Sequence, residues 1–141
     1  MLNIEVDFMA VIVAAVASMV VGFLWYSPLV LGKPWMKLKG YNSESLKKAQ
    51  QEMGKLYGLS FLAALVTAFV LFHVITISQN FYGFPKLQTG LMTAFWMWVG
   101  FILPVQLADE IFGGKKWGLF TINTGYQLAA IISMAVVIAY I

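Results

Sequence analysis

Four long apolar stretches, at residues 8–27, 57–79, 88–108 and 118–140, organise the chain. Each reaches the roughly 20 residues that a helix needs to cross a bilayer, and none carries a charge in its middle. Backbone amides in hydrocarbon must be satisfied within their own segment, and four such segments cannot close a barrel. The pattern therefore predicts an all-α integral membrane four-helix bundle, built as one domain. Ahead of the second stretch, Leu46, Ala49, Met53 and Leu56 recur at helical spacing, while Lys47, Lys48, Gln51 and Glu52 occupy other faces. With Asn42 or Ser43 as cap, one long helix over 43–79 is expected, its first turns an amphipathic extension outside the hydrocarbon. The alternative is a loop followed by a separate span.

Composition sharpens this picture. The 141 residues are 61% hydrophobic and only 11% charged, against roughly 25% charged in an ordinary soluble domain. Such a chain has more apolar surface than a soluble core of its length can hide, so the bilayer must serve as solvent. The absence of cysteine removes disulfides and thiolate chemistry, and His73 as the single histidine leaves no His-rich metal set. No metal and no cofactor are expected.

All nine basic residues are lysines, and their placement sets a direction. Six lie in the loop 28–56, two in the loop 109–117, and only Lys86 in the loop between the second and third stretches. By the positive-inside rule the two lysine-bearing loops are cytoplasmic and both termini lie outside. Glu5 and Asp7 precede the first stretch, where a signal peptide would carry positive charge, so that stretch is expected to remain in a multi-pass protein of the cytoplasmic membrane.

Proline, aromatic and basic residues meet where the first span ends. Trp25 and Trp35 are expected at headgroup depth. Pro28 ends the helix, and Lys33, Lys37 and Lys39 reach anionic lipid phosphates at ~1 kcal/mol each. Membrane lipid, rather than nucleic acid, is the expected counter-charge.

Small residues mark the expected helix contacts. Ala10, Ala14, Ser18 and Gly22 form one stripe on the first span, and Gly125, Ala129 and Ser133 another on the fourth. Gly54-x-x-x-Gly58 and Ala64-x-x-x-Ala68 offer similar contacts on the second. At ~100° per residue, Asn123, Tyr126 and Gln127 fall opposite the fourth span's stripe. Pro104 removes one backbone bond at the carbonyl of Gly100, and a bend follows.

Polar residues share a depth near the inner end of three spans: Tyr26 and Ser27 on the first, Gln106, Asp109 and Glu110 on the third, Asn123, Tyr126 and Gln127 on the fourth. An unpaired polar group in lipid is costly, so these groups face either one another or a water-filled crevice. Two readings stay open. In one they form an inward-facing pocket with Asp109 or Glu110 as its charged element. In the other Asp109 and Glu110 are loop residues pairing with Lys115 or Lys116, and the amides are interhelical bonds. His73 stands apart, too far along the second span to join them; a neutral ring bonded to a backbone carbonyl is expected.

Two stretches resemble a known family. Gly22-x-x-Trp25-Tyr26-Ser27-Pro28 with Gly32-Lys33-x-Trp35-Met36 is one. Ile122-Asn123-x-Gly125-Tyr126-x-Leu128, after Gly100-Phe101-x-x-Pro104 and Phe112-x-Gly114-Lys115, is the other. Together they resemble small bacterial four-span membrane proteins classed as a domain of unknown function. The resemblance implies a compact four-helix membrane fold and brings no activity, substrate or cofactor.

Function classes narrow accordingly. No paired acid and base, nucleophile motif or metal set is present, so a non-catalytic protein is expected. The leading expectation is a pathway or binding site for a small solute or ion, assembled from two or more copies. The alternative is a scaffold that holds a partner or anionic lipid through its basic elbow.

Overall fold

A computed structural model describes residues 4–141, and it is an all-α membrane bundle. Helix α1 (Phe8–Trp25) starts where the Asp7 side chain accepts the Ala10 N–H at 3.2 Å. It stops before Pro28, and a compact elbow follows. There the Leu31 N–H returns to the Trp25 carbonyl at 3.1 Å and the Gly32 N–H to the Ser27 carbonyl at 2.9 Å. Short helices α2 (Gly32–Lys39) and α3 (Ser43–Gln51) come next. Gly40 ends α2 in the left-handed region at φ 72°, and the Asn42 side chain caps α3 by accepting the Ser45 N–H at 2.8 Å.

The span α4 (Met53–Tyr82) is separate from α3. The continuous helix expected over 43–79 is interrupted at Glu52, whose ψ of 1° leaves the helical range. The reason is a lack of support: α3 buries no residue, so little packing fixes its direction, and Gly54 weakens the helix just beyond. The loop expected over 28–56 is thus largely helical, in two short pieces.

The third span comprises α5 (Lys86–Met97), a wide π turn over Trp98–Ile102, and α6 (Leu103–Phe112). Pro104 has no N–H and cannot follow a regular turn without disturbing the carbonyl before it. The π turn absorbs this, with the Leu103 N–H bonding the Trp98 carbonyl. Helix α7 (Trp117–Tyr140) completes four spans long and apolar enough to cross a membrane.

The spans pack as an up-and-down ring in which α1 touches α4 and α7, and α5 touches the same two. The tight core sits at the end that carries the termini. Ala10, Ala14 and Ala15 of α1 meet Ala68, Leu71 and Ile75 of α4, Ala94 of α5, and Ala135 and Ile138 of α7, all essentially inaccessible. Alanines dominate because lipid tails give helices no hydrophobic reason to associate, so close backbone approach must supply the attraction. At Gly90 an added Cβ would lie 3.3 Å from the Ala135 carbonyl oxygen. Below this core, towards the lysine-rich end, α6 packs on α7.

Candidate functional site

At the lysine-rich end α1, its elbow and α7 interlock. The Trp25 indole N–H donates to the Ile122 carbonyl at 3.0 Å, and its ring lies 3.1 Å from where a Gly125 Cβ would be. The Tyr26 hydroxyl donates to Asn123 Oδ1 at 2.7 Å. Gly22 leaves room for the Tyr126 ring, whose hydroxyl would stand 3.2 Å from a Cβ there. Tyr26 stands edge-on to Tyr126 at 5.2 Å and to Trp35 at 5.3 Å. Within the elbow, Gly32 is obligatory for space, since its Cβ would fall 2.3 Å from the Tyr26 carbonyl oxygen. Helix α2 is tied down as well: Lys116 Nζ donates to the Leu38 carbonyl at 2.9 Å, and Leu38 sits against Gly118.

The other flank of α7 is clamped in a parallel way. Trp98, in the π turn, donates its indole N–H to the Thr124 carbonyl at 3.0 Å, and the Thr124 hydroxyl donates to Gln106 Oε1 at 2.7 Å. Two tryptophans from opposite neighbours therefore bond α7 carbonyls two residues apart.

The polar residues expected in one pocket are thus distributed over several places. Tyr26 and Asn123 bond each other on the α1 side, and Gln106 bonds Thr124 on the third-span side. Ser27 turns its hydroxyl back to the Leu24 carbonyl. Asp109 is exposed, and the Glu110 carboxylate accepts the Lys116 backbone N–H, closing the turn before α7. The expected pairing of that carboxylate with a lysine is made to lysine backbone rather than to an ammonium group. Residues at one depth need not share one face, and Asn123, Thr124 and Gln127 point in three directions.

Tyr126 and Gln127 do meet, in a cavity of about 290 Å³ just below the core. Ser18 and Met19 of α1, Ser60, Ala63 and Thr67 of α4, and Ala130 and Met134 of α7 also line it, with Ile102 of the π turn at its edge. The Ser18 and Thr67 hydroxyls donate to the carbonyls of Ala15 and Ala63 on their own helices, at 2.8 and 3.0 Å. Among the described residues nothing bonds the Gln127 amide or the Ser60 hydroxyl. Ser60 and Thr67 are not among the residues expected from sequence, because a mid-span hydroxyl can bond its own helix's backbone, as Thr67 does, and so carries no signal by itself. Their spacing through Ala63 and Ala64 is a small, polar helix face that could have found them.

Of the expected packing residues, Ala10, Ala14 and Ser18 are buried. On α7 the buried face runs through Thr124, Ile131, Ala135 and Ile138, while Ala129 and Ser133 sit half-buried at its margin. Gly125 shares the α1 side with Asn123 and Tyr126, because the elbow wraps around α7 at that level. Gly54 and Gly58 face open space, in contrast to Ala64 and Ala68. His73 Nδ1 lies 2.8 Å from the Phe69 carbonyl, which accounts for its ring without any further partner. Lys33, Lys37 and Lys39 are exposed, with Lys39 over the Trp35 ring at 5.8 Å.

No curated protein and no solved structure matches the chain. A family described as a protein of unknown function (DUF1761) matches residues 9–139, nearly the whole chain and all four spans, and the chain belongs to that family.

Proposed function

We propose that this protein is a non-catalytic membrane protein that binds a small uncharged solute in the cavity between α1, α4 and α7, as the loading site of a pathway. The observation that carries this reading is the Gln127 amide, which lines the cavity without a protein partner. Polar side chains inside a membrane bundle ordinarily find one, as Asn123 and Gln106 do here. Serine, threonine and glutamine suit an uncharged molecule, and no carboxylate or ammonium group lines the space. The volume is at the small end of ligand pockets, which run to ~300–1,000 Å³.

Towards the lysine-rich end the Tyr126 ring at the cavity meets Tyr26 edge-on, and Tyr26 meets Trp35 in the same way; on this reading the three rings are the gate. Passage on that side requires these rings to part, and a continuous route takes two or more copies. Native mass spectrometry of the protein released from lipid nanodiscs tests the reading. A discrete uncharged adduct on each chain is expected, absent from Ala130→Leu, which fills the cavity. A native chain without any adduct, or one identical in both proteins, would overturn it.

A second reading is favoured by α2. Its exposed Lys33 and Lys37, one turn apart, suit a face that holds anionic lipid as a scaffold at the inner surface. Under that reading, replacing Lys33, Lys37 and Lys39 with glutamine strips anionic lipid from the released protein, whereas Gln127→Leu leaves it in place.

A further inference from the structure

We propose that the cavity opens sideways into the bilayer, between α4 and the lower half of the third span. Its ligand is then a membrane-dissolved amphiphile with a small hydroxyl or amide head. This rests on the reading of the cavity as a binding site and names the class of molecule it takes.

The walls are unequal. On α1 and α7, Ser18, Ala130 and Met134 are buried and form the floor. On α4, Ser60, Ala63 and Thr67 line the same space yet are exposed. Across from them the third span contributes Ile102 of the π turn. Above the turn α5 packs against α4; below it, α6 packs on α7. The π turn and Pro104 thus divert the third span from α4 at the level where the cavity begins. That level lies within the apolar length of both helices, where Leu59, Leu62 and Val66 on α4 and Phe101 and Val105 on the third span are exposed. A mouth bordered by such side chains faces acyl chains rather than water.

The polar inventory then selects the head. Ser18 and Thr67 have spent their protons on their own helices and can only accept. The Gln127 amide can donate and accept, and so can the Ser60 hydroxyl. In hydrocarbon such groups are satisfied only by a molecule that itself donates and accepts, which a hydroxyl or primary amide does. A charged head would bring its charge to a lining with no counter-charge. At about 290 Å³ the cavity accommodates the head and its first few methylenes, and an aliphatic tail would leave through the mouth among the lipid chains.

The test uses the full chain in nanodiscs and two photoactivatable probes of equal length. One is a long-chain primary alcohol carrying a mid-chain diazirine, and the other is the corresponding alkane. The expected result is heavier labelling of the 60–67 and 130–134 segments by the alcohol than by the alkane, with the difference abolished in Gln127→Leu. Equal labelling by both probes overturns the proposal, since the segments would then be ordinary lipid-facing surface. So does the absence of label from both. In that case a spin label at Ala63→Cys, or at Ser60→Cys if the first fails to fold, separates the two readings, because the chain has no other cysteine. Strong relaxation by a water-soluble nickel complex leaves the solute site standing and removes only access from the bilayer. Shielding from both nickel and oxygen removes both readings.

Discussion

The joint at the elbow and the cavity above it differ in what their polar groups do. In the joint the Tyr26 hydroxyl bonds the Asn123 amide oxygen and the Trp25 indole bonds the Ile122 carbonyl, as the Trp98 indole bonds Thr124 on the other flank of α7. Glycines 22, 32 and 125 meanwhile mark the places where another residue would need the same space. In the cavity, only a few residues further along α7, Gln127 lines open volume without a partner, and so does Ser60 of α4. A membrane bundle gains nothing from an unpaired amide, and Leu at that position would suit the hydrocarbon better. Retaining a group at a cost in stability is what function asks of a site, and bonding one helix to the next is what stability asks of a joint.

Substitutions can break this contrast, and the joint should give the largest effects. Gly32→Ala meets elbow backbone, which cannot yield as a side chain can. Its cost should therefore exceed the ~1–3 kcal/mol of ordinary overpacking and show as loss of folded protein on extraction. Gly125→Ala meets only the Trp25 ring, which can shift; a loss of about 1 kcal/mol in detergent unfolding is expected. Tyr26→Phe removes one interhelical bond and should cost ~0.6 kcal/mol, the usual size in membranes. The same cost should appear for Asn123→Leu, and the double variant should lose no more than either alone. Smallest of all is Gln127→Leu, for which no loss of stability and a loss of bound ligand are expected together.

Much of the architecture was legible because hydropathy acts over whole segments, and the four spans need no knowledge of their partners. The break at Glu52 was not legible, since periodicity alone cannot tell whether an amphipathic turn has anything to pack on. Pro104 announced a distortion, but its form as a π turn starting at Trp98 depends on how α7 receives that tryptophan. The site was harder. Depth along a span follows from counting residues, and it brought Tyr26 level with Asn123. Direction around a span follows from packing, which sends Gln106 to Thr124, Gln127 to the cavity and Asp109 to the surface. Thr124, beside Asn123 in sequence, joins α7 to the third span through both its carbonyl and its hydroxyl.

The most direct measurement is the unfolding free energy of Gln127→Leu beside that of Tyr26→Phe, in the same lipid. Tyr26→Phe is expected to fall below the native protein while Gln127→Leu equals or exceeds it. If Gln127→Leu falls as far as Tyr26→Phe, the amide is a packing group like those of the joint, and the cavity loses its claim to be a site.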